Sequence, residues 1–230
     1  MKYIFWDIDG TLLKTGLAGV SALRAAIKQY FGIENYQFSH TLAGMTDSFI
    51  FKQTIKDIKG SCNADDADAL LIIYHQLLPQ YLPTHRGSLM PNVQATLQYF
   101  AEHDTGYRTC LLTGNTTTGS FAKLKHYGID QYFDSQYTTC GELNEDRSEL
   151  AKTAYQRLQL LDPTLTPAKI IIIGDTPNDI RCAKAINARS LIVLAGSSYS
   201  RTDLQAHAPW RLIEQLPKEP QALLALLSEK

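Results

Sequence analysis

The residues with the clearest chemical potential are two aspartates at the end of the first apolar run. Ile4-Phe5-Trp6 leads directly into Asp7 and Asp9, and Gly10-Thr11 follows. Side chains alternate along an extended chain, so Asp7 and Asp9 project in roughly the same direction. Two like charges this close are costly to ionise together unless a cation lies between them. Taken alone, such a pair more often marks a turn or a helix cap, so a cation site needs support from elsewhere in the sequence.

A second pair of carboxylates follows another apolar run. The run Ile170–Ile173 leads into the sequence GDTPND, which contains Asp175 and Asp179. Oxygen ligands without histidine or cysteine suit Mg²⁺, and Mg²⁺ in proteins is commonly shared with substrate phosphate. We therefore expect both aspartate pairs to contribute to one magnesium site.

Groups that could bind a phosphate follow two of the apolar runs. Thr113-Gly114-Asn115 comes after Cys110-Leu111-Leu112 and offers hydroxyl and backbone N–H donors, as Gly10-Thr11 does after the first run. Such donors beside a metal are what a phosphate needs. The sequence lacks GxxxxGK[ST], so a nucleotide-binding P-loop is not expected.

The elements that carry these groups predict an α/β fold. Continuous apolar runs, rather than alternating ones, favour strands of a parallel sheet that is covered on both faces. Helix-like patterns separate the runs, which indicates a doubly wound, Rossmann-like sheet with ligands beyond the carboxyl ends of its strands. The predicted strands are Tyr3–Trp6, Cys110–Leu112, Ile170–Ile173 and Leu191–Ala195.

An insert of different character follows the first strand. Residues 17 to about 83 show helical periods without an apolar strand run, and the first period ends at Gly32, a natural helix terminator. The other predicted helices of the insert cover Ser48–Lys59 and Asp65–Leu78. We expect a core domain at residues 1–15 and 87–230 and a helical cap domain at residues 16–86, which could move as a lid.

Composition limits the classes of function. The chain has 230 residues, of which 44% are hydrophobic and 20% charged, and a formal net charge of -1. These values give no basic surface for nucleic acid or an anionic membrane. The scattered cysteines form no CxxC pair, which argues against zinc and against a disulfide scaffold. We expect a cytoplasmic protein, a monomer or homodimer, whose partner is a small phosphorylated metabolite.

Three motifs resemble those of a known superfamily. DIDGTLL, LLTGN and IIIIGDTPNDI, in this order, are similar to the haloacid dehalogenase superfamily, and most of all to its phosphoglycolate-phosphatase-like group. The resemblance covers nearly the whole chain, with the helical insert where that group carries its cap. It implies a Mg²⁺-dependent phosphatase that hydrolyses a small phosphomonoester, phosphoglycolate-like or a sugar phosphate, through an aspartyl-phosphate intermediate.

The resemblance also implies roles for individual residues. Asp7 would be the nucleophile, and Asp9 would protonate the leaving alcohol and then activate water. Mg²⁺ would be held by Asp7, by the backbone carbonyl of Asp9 and by Asp175, with Asp179 supporting the site. The groups implied to contact the substrate's phosphoryl oxygens are Thr113 and the Gly114 N–H, beside Gly10, Thr11 and Asn115.

One family feature departs from its usual form. The Lys that commonly precedes the helix before the third strand is missing, and Arg147 occupies that region. We expect Arg147 to supply the positive charge beside Asp7, with Lys152 as the alternative. Lys123 and Lys125 are expected to be solvated surface charges. No histidine is assigned to catalysis.

Residues of the cap are expected to select the substrate. In GMTD, Thr46 or Asp47 either contacts the substrate or simply caps the next helix. Arg24 and Lys52 either bind a second anionic group of a substrate or are solvated helix charges. The sequence does not separate these alternatives.

Other functions remain open at this point. A phosphosugar mutase, β-phosphoglucomutase-like, uses the same core, and a non-catalytic interaction module would arise if the site had decayed. Decay should remove the nucleophile, the acid or a metal ligand, yet all are present. Carbon–halogen cleavage is disfavoured, because that branch lacks the acid that Asp9 provides.

Overall fold

A six-stranded sheet organises the computed structural model, which describes residues 1–229. Its strand order is β5-β4-β1-β6-β7-β8, and every neighbouring pair is parallel. The doubly wound parallel sheet predicted from the sequence is confirmed. The strands are β1 (Lys2–Trp6), β2 (Leu13–Lys14), β3 (Ser88–Leu89), β4 (Tyr107–Leu112), β5 (Thr138–Thr139), β6 (Ile170–Gly174), β7 (Arg189–Val193) and β8 (Arg211–Ile213).

The helices follow the predicted periods with small differences at their ends. The third helix was predicted to end at Leu78 but continues through Pro79 to Tyr81, because proline in a last turn removes only one backbone hydrogen bond while Leu78 and Leu82 stay buried. The helices are α1 (Ala18–Phe31), α2 (Asp47–Lys59), α3 (Ala64–Tyr81), α4 (Val93–Glu102), α5 (Thr117–His126), α6 (Arg147–Leu161), α7 (Pro177–Ala185), α8 (Arg201–Ala206) and α9 (Pro220–Ser228).

Two hydrophobic layers cover the faces of the sheet. Along β1, Tyr3 and Phe5 point into the layer that contains α6 and α7, whereas Ile4 and Trp6 point into the layer that contains α4 and α9. Successive side chains of a strand point to opposite faces of the sheet, so an apolar residue at every position shows that β1 is buried on both sides. Burial of β1 fixes its register, and therefore fixes the place where Asp7 emerges.

Helices α1, α2 and α3, here called the cap, enclose a third hydrophobic cluster of their own. Within residues 1–229, neither of the two sheet layers takes a buried residue from these helices. In the same part of the chain, no helix is both long and apolar enough to cross a bilayer.

A two-stranded ribbon joins the cap to the sheet. Strands β2 and β3 are antiparallel, with Lys14 opposite Ser88, so the chain leaves the core and returns to it side by side. Gly16 has a φ of 60°, and a Cβ there would lie 2.5 Å from the Arg86 carbonyl oxygen. The predicted boundaries at residues 16 and 86 lie at the cap side of this ribbon.

Candidate active site

The carboxyl ends of three adjacent strands bring the predicted residues together. Asp7 follows β1, Thr113 follows β4 and Asp175 follows β6. The Asp7 backbone N–H donates to the Ile173 carbonyl oxygen at 3.0 Å, which continues the sheet pairing up to the site. The edge therefore holds these side chains on a rigid support.

Three buried carboxylates form the centre of the site. Asp7, Asp175 and Asp179 each offer an oxygen within 4.8 Å of the others. Burial raises the pKa of Asp7 to about 7, and the charge of Asp179 adds to this, although Arg147 opposes it. Burial, followed by the charges of Asp179 and Asp7, also raises the pKa of Asp175 well above its usual range. The single guanidinium of Arg147 therefore does not balance the negative charge of the three carboxylates.

Asp179 fixes the loop that carries Asp175. Its Oδ2 accepts the backbone N–H of Asp175 at 3.2 Å and that of Thr176 at 3.0 Å. Its Oδ1 accepts from the Arg147 guanidinium at 2.6 Å. Asp179 is therefore saturated with hydrogen bonds, which fits a supporting role better than direct metal ligation.

The residues present fit a Mg²⁺ ion. Gly10 has a φ of 87°, and a Cβ there would lie 2.3 Å from the Asp175 Oδ2, so only glycine lets this loop pack against that carboxylate. The Thr11 hydroxyl donates to the Asp175 Oδ1 at 3.3 Å. A fixed, buried set of oxygen atoms with excess negative charge is what a hard divalent cation requires.

Thermal unfolding with and without Mg²⁺ tests this fit. We expect Mg²⁺ at about one hundred times its Kd to stabilise the wild type by about 2.7 kcal/mol. Asp175→Asn should lose most of that gain, whereas Asp68→Asn, on the exposed surface of α3, should keep it. An equal response of Asp175→Asn and the wild type would contradict the assignment.

Arg147 lies where the sequence placed a cation. The Asp146 side chain accepts the N–H groups of Ser148 at 2.7 Å and Glu149 at 3.2 Å, so α6 begins at Arg147. The guanidinium is buried, and both terminal nitrogens lie 3.4 Å from the Asp7 Oδ1. Burial lowers its pKa, but the charges of Asp7 and Asp179 outweigh burial and raise it. The alternative, Lys152, is exposed and pairs with Glu149.

The prediction that Lys123 is a surface charge is wrong. Its side chain is only 5% exposed, and its Nζ lies 2.6 Å from the Asp9 Oδ2 and 2.6 Å from the Asn115 Oδ1. The sequence gives little signal for this burial, because the residues that share the buried face of α5 with Lys123 include the small Gly119 and Ser120 and do not form an apolar stripe. Lys125 is exposed, as expected.

Asp47 and Thr46 have different positions at the start of α2. Asp47 lines the cavity between cap and sheet edge and accepts the Thr116 N–H at 2.8 Å. Burial raises its pKa to about 6. Thr46 does not line the cavity. Its hydroxyl accepts the Phe49 N–H and donates to the Glu145 carbonyl oxygen, so it is a helix cap.

The cap segment contacts the sheet edge beside the site. The Asp47 N–H donates to the Gly114 carbonyl oxygen at 2.7 Å, and the Asn178 amide donates to the Gly44 carbonyl oxygen at 2.6 Å. Gly114 allows this approach, since a Cβ there would lie 2.3 Å from the Met45 carbonyl oxygen. The cap and the sheet edge together line a cavity of about 650 Å³.

The cavity separates the predicted site residues into two groups. Those that line it are Asp7, Asp9, Gly10, Asp47, Gly114, Asn115, Arg147 and Asp175, whereas Thr11, Thr46, Thr113 and Asp179 lie behind its wall. The Thr113 hydroxyl accepts from the Asn115 N–H and side-chain amide, so it orients Asn115. The contact of Thr113 with a phosphoryl oxygen stays a prediction, and the position of its side chain behind the cavity wall does not favour it.

Neither candidate for a second anion site lines the cavity. The Arg24 Nε donates to the Tyr36 carbonyl oxygen, and Lys52 pairs with Glu145 across the cap contact. Among residues 1–229, the positively charged side chains that line the cavity all lie outside α1, α2 and α3, and they are Lys14, Arg86, Lys123 and Arg147. The cap side is largely apolar, with Leu23, Ile50 and Phe51 among its lining residues.

Solved structures share this fold over almost their full lengths. CbbY from Rhodobacter sphaeroides, in complex with phosphate, is 15% identical with a TM-score of 0.71 and covers 94% of each chain. A protein described as a predicted phosphoglycolate phosphatase from Haemophilus somnus is 18% identical with a TM-score of 0.70, covering 98% of this chain and 97% of that one. A haloacid dehalogenase-like family protein from Streptococcus pneumoniae is 20% identical with a TM-score of 0.63, covering 99% of both chains.

The family follows from the sequence match. No curated protein matches the chain. The family described as haloacid dehalogenase-like hydrolase matches residues 4–193, a span that contains Asp7, Thr113, Arg147 and Asp175. The match includes all three motifs that suggested the family. The chain therefore belongs to the haloacid dehalogenase-like hydrolases.

Proposed function

We propose that the protein is a Mg²⁺-dependent phosphatase that hydrolyses a small phosphomonoester through an aspartyl-phosphate intermediate. The observation that carries the proposal is the arrangement of Asp7, whose buried carboxylate faces the cavity between cap and sheet edge beside Arg147, Asp175 and Asp9. A carboxylate nucleophile with a proton-transferring neighbour and fixed positive charge is suited to phosphoryl transfer. Family membership supports the same class of reaction.

The first chemical step forms the intermediate. An Asp7 oxygen attacks phosphorus, the bond between phosphorus and the leaving oxygen breaks, and Asp9 donates a proton to that oxygen. The Arg147 guanidinium and backbone N–H groups of the Gly114 loop oppose the negative charge that the phosphoryl oxygens carry. When bound, Mg²⁺ would be held by Asp7, Asp175 and the Asp9 carbonyl and would supply further charge neutralisation.

The second step releases phosphate. Asp9, now ionised, takes a proton from a water molecule whose oxygen attacks phosphorus. The bond between phosphorus and Asp7 then breaks and restores the free carboxylate. The cap supports this step because it covers one side of the cavity and so reduces the contact of the reacting groups with bulk water.

The cavity favours a small substrate. Its volume of about 650 Å³ has to hold the phosphoryl group and the leaving alcohol together. A CbbY variant of the same fold has been solved with xylulose-1,5-bisphosphate, which makes sugar phosphates candidates beside phosphoglycolate-like esters. The described cysteines are all free, which fits the reducing cytoplasm.

Phosphate release from a panel of phosphomonoesters tests the proposal. The panel should contain phosphoglycolate, hexose and pentose phosphates and p-nitrophenyl phosphate, each with Mg²⁺ and with a chelator. We expect release that requires Mg²⁺ and is fastest for one class of ester. Release that is unaffected by the chelator, or none from any ester, would contradict the proposal.

A further inference from the structure

The Asp9 carboxylate is held through one of its two oxygens. Its Oδ2 accepts from the Asn115 amide at 2.8 Å and from the Lys123 Nζ at 2.6 Å. Its Oδ1 has no hydrogen-bond partner within residues 1–229. The side chain is 42% exposed and lines the cavity. Both donors therefore approach from the wall of the cavity, and one oxygen remains available to a substrate.

Packing does not explain the lysine at this position. A buried ammonium is costly unless it is paired and hydrogen-bonded, and an apolar residue of similar volume would fill the same space at less cost. Lys123 is nevertheless buried on a face of α5 whose other inward residues are Gly119, Ser120 and Leu124. Its partners are two groups of the site, Asp9 and Asn115. The contact therefore serves the orientation of Asp9.

The three side chains form a closed set of contacts. The Lys123 Nζ reaches the Asn115 Oδ1 as well as Asp9, while the Asn115 amide nitrogen donates to Asp9 and to the Thr113 hydroxyl at 2.9 Å. Asn115 is thus fixed as a donor toward Asp9, because its oxygen already faces the ammonium. Each residue restricts the rotation of the others.

We propose that Lys123 is a positioning residue that makes the Asp9 Oδ1 the proton-transferring atom of the reaction, an inference that rests on the proposed function. Since Oδ2 faces two N–H donors, the neutral acid carries its hydrogen on Oδ1. That hydrogen passes to the leaving oxygen as the phosphorus–oxygen bond breaks and the bond to Asp7 forms. In the second step, Oδ1 receives the proton of the attacking water.

The leaving group provides a selective test. Benzyl phosphate and p-nitrophenyl phosphate are similar in size, but the benzyl alkoxide needs a proton as it leaves and the nitrophenolate does not. We expect Lys123→Met to lower kcat/KM for benzyl phosphate by about 100-fold, and for p-nitrophenyl phosphate by less than about 5-fold. Lys125→Met, on the exposed face of the same helix, should leave both values unchanged.

The outcomes separate the inference from the function on which it rests. Equal losses on the two esters, or no loss on either, would overturn the role of Lys123 while leaving the phosphatase intact. A wild type that hydrolyses neither ester with Mg²⁺ would overturn the proposed function and this inference together. Lys123→Arg keeps a charged donor near Asp9 and should recover much of the benzyl phosphate activity. If Lys123→Met does not fold, Lys123→Arg tests the positioning role of Lys123 in its place. An equal loss of activity on both esters in Lys123→Arg would also contradict that role.

Discussion

Replacing Asp7 by asparagine is expected to abolish phosphate release, by on the order of 10⁴-fold or more, while making the metal-free protein more stable. Activity is lost because an amide cannot act as the nucleophile that forms the aspartyl phosphate. Stability increases because the variant no longer buries a carboxylate among Asp175 and Asp179. Phosphate release with Mg²⁺, and urea unfolding with a chelator, measure the two effects.

The gain in stability should depend on pH with a definite sign. The pKa of Asp7 is raised from 3.8 to about 7 by burial and by Asp179, so the folded state binds the proton more tightly than the unfolded state. The stabilisation that the folded state gains from the proton on Asp7 is fully present below pH 4 and is lost as pH rises to about 7. Above pH 7, the ionised group costs the wild type roughly 2 to 4 kcal/mol relative to asparagine.

The comparison across pH distinguishes this mechanism from a general effect of the substitution. The difference in unfolding free energy between Asp7→Asn and wild type should be small near pH 4 and should level off above pH 7. Saturating Mg²⁺ should reduce or reverse it, because the ion stabilises the carboxylate of the wild type. A variant that is less stable than the wild type at pH 8 without metal would contradict the raised pKa.

Replacing Arg147 by methionine should impair both stability and activity. The change leaves Asp7 and Asp179 without their shared guanidinium, and breaking one partner of a buried ion pair costs about 3 to 5 kcal/mol. Phosphoryl transfer should slow by on the order of 10³-fold, because fixed charge facing the transferring group is lost. Urea unfolding at pH 8 and phosphate release with Mg²⁺ measure these losses.

Lys152→Met is the matched control, since this exposed lysine was the alternative cation in α6. It should change stability by less than about 1 kcal/mol, as expected for an exposed ion pair. Arg147→Lys keeps the charge but not the planar fork that reaches both carboxylates, so it should recover only part of the activity. The destabilisation by Arg147→Met should also be smaller at pH 5, where Asp7 is protonated. Equal losses in Lys152→Met and Arg147→Met would show that the cation was assigned wrongly.

The fold and the carboxylates were predictable because they depend on local patterns. A strand that is buried on both faces is a continuous apolar run, and parallel strands bring the residues at their carboxyl ends to one edge of the sheet. Asp7 and Asp175 could therefore be placed together from their positions after β1 and β6. Arg147 was identified from its position in the order of the motifs.

The contacts of α5 and of the cap could not be predicted in the same way. Whether Lys123 faces solvent or Asp9 depends on which face of α5 packs inward, and the sequence shows only weak periodicity there. Thr46 and Asp47 are neighbours of similar polarity, yet the turn at the start of α2 directs one to Glu145 and the other to the cavity. Such choices are fixed by tertiary packing rather than by residue type.

Because the two strands that join the cap to the sheet are paired, the cap can be removed or replaced as one continuous segment. Lys14 and Ser88 are opposite each other in this ribbon, so their Cα atoms lie about 5 Å apart, a gap that a two-residue hairpin turn can close. Deleting or replacing the intervening segment would leave the order of the six parallel strands unchanged. A change within this one contiguous segment can therefore alter the cap side of the cavity while the strands that carry Asp7, Thr113 and Asp175 stay the same.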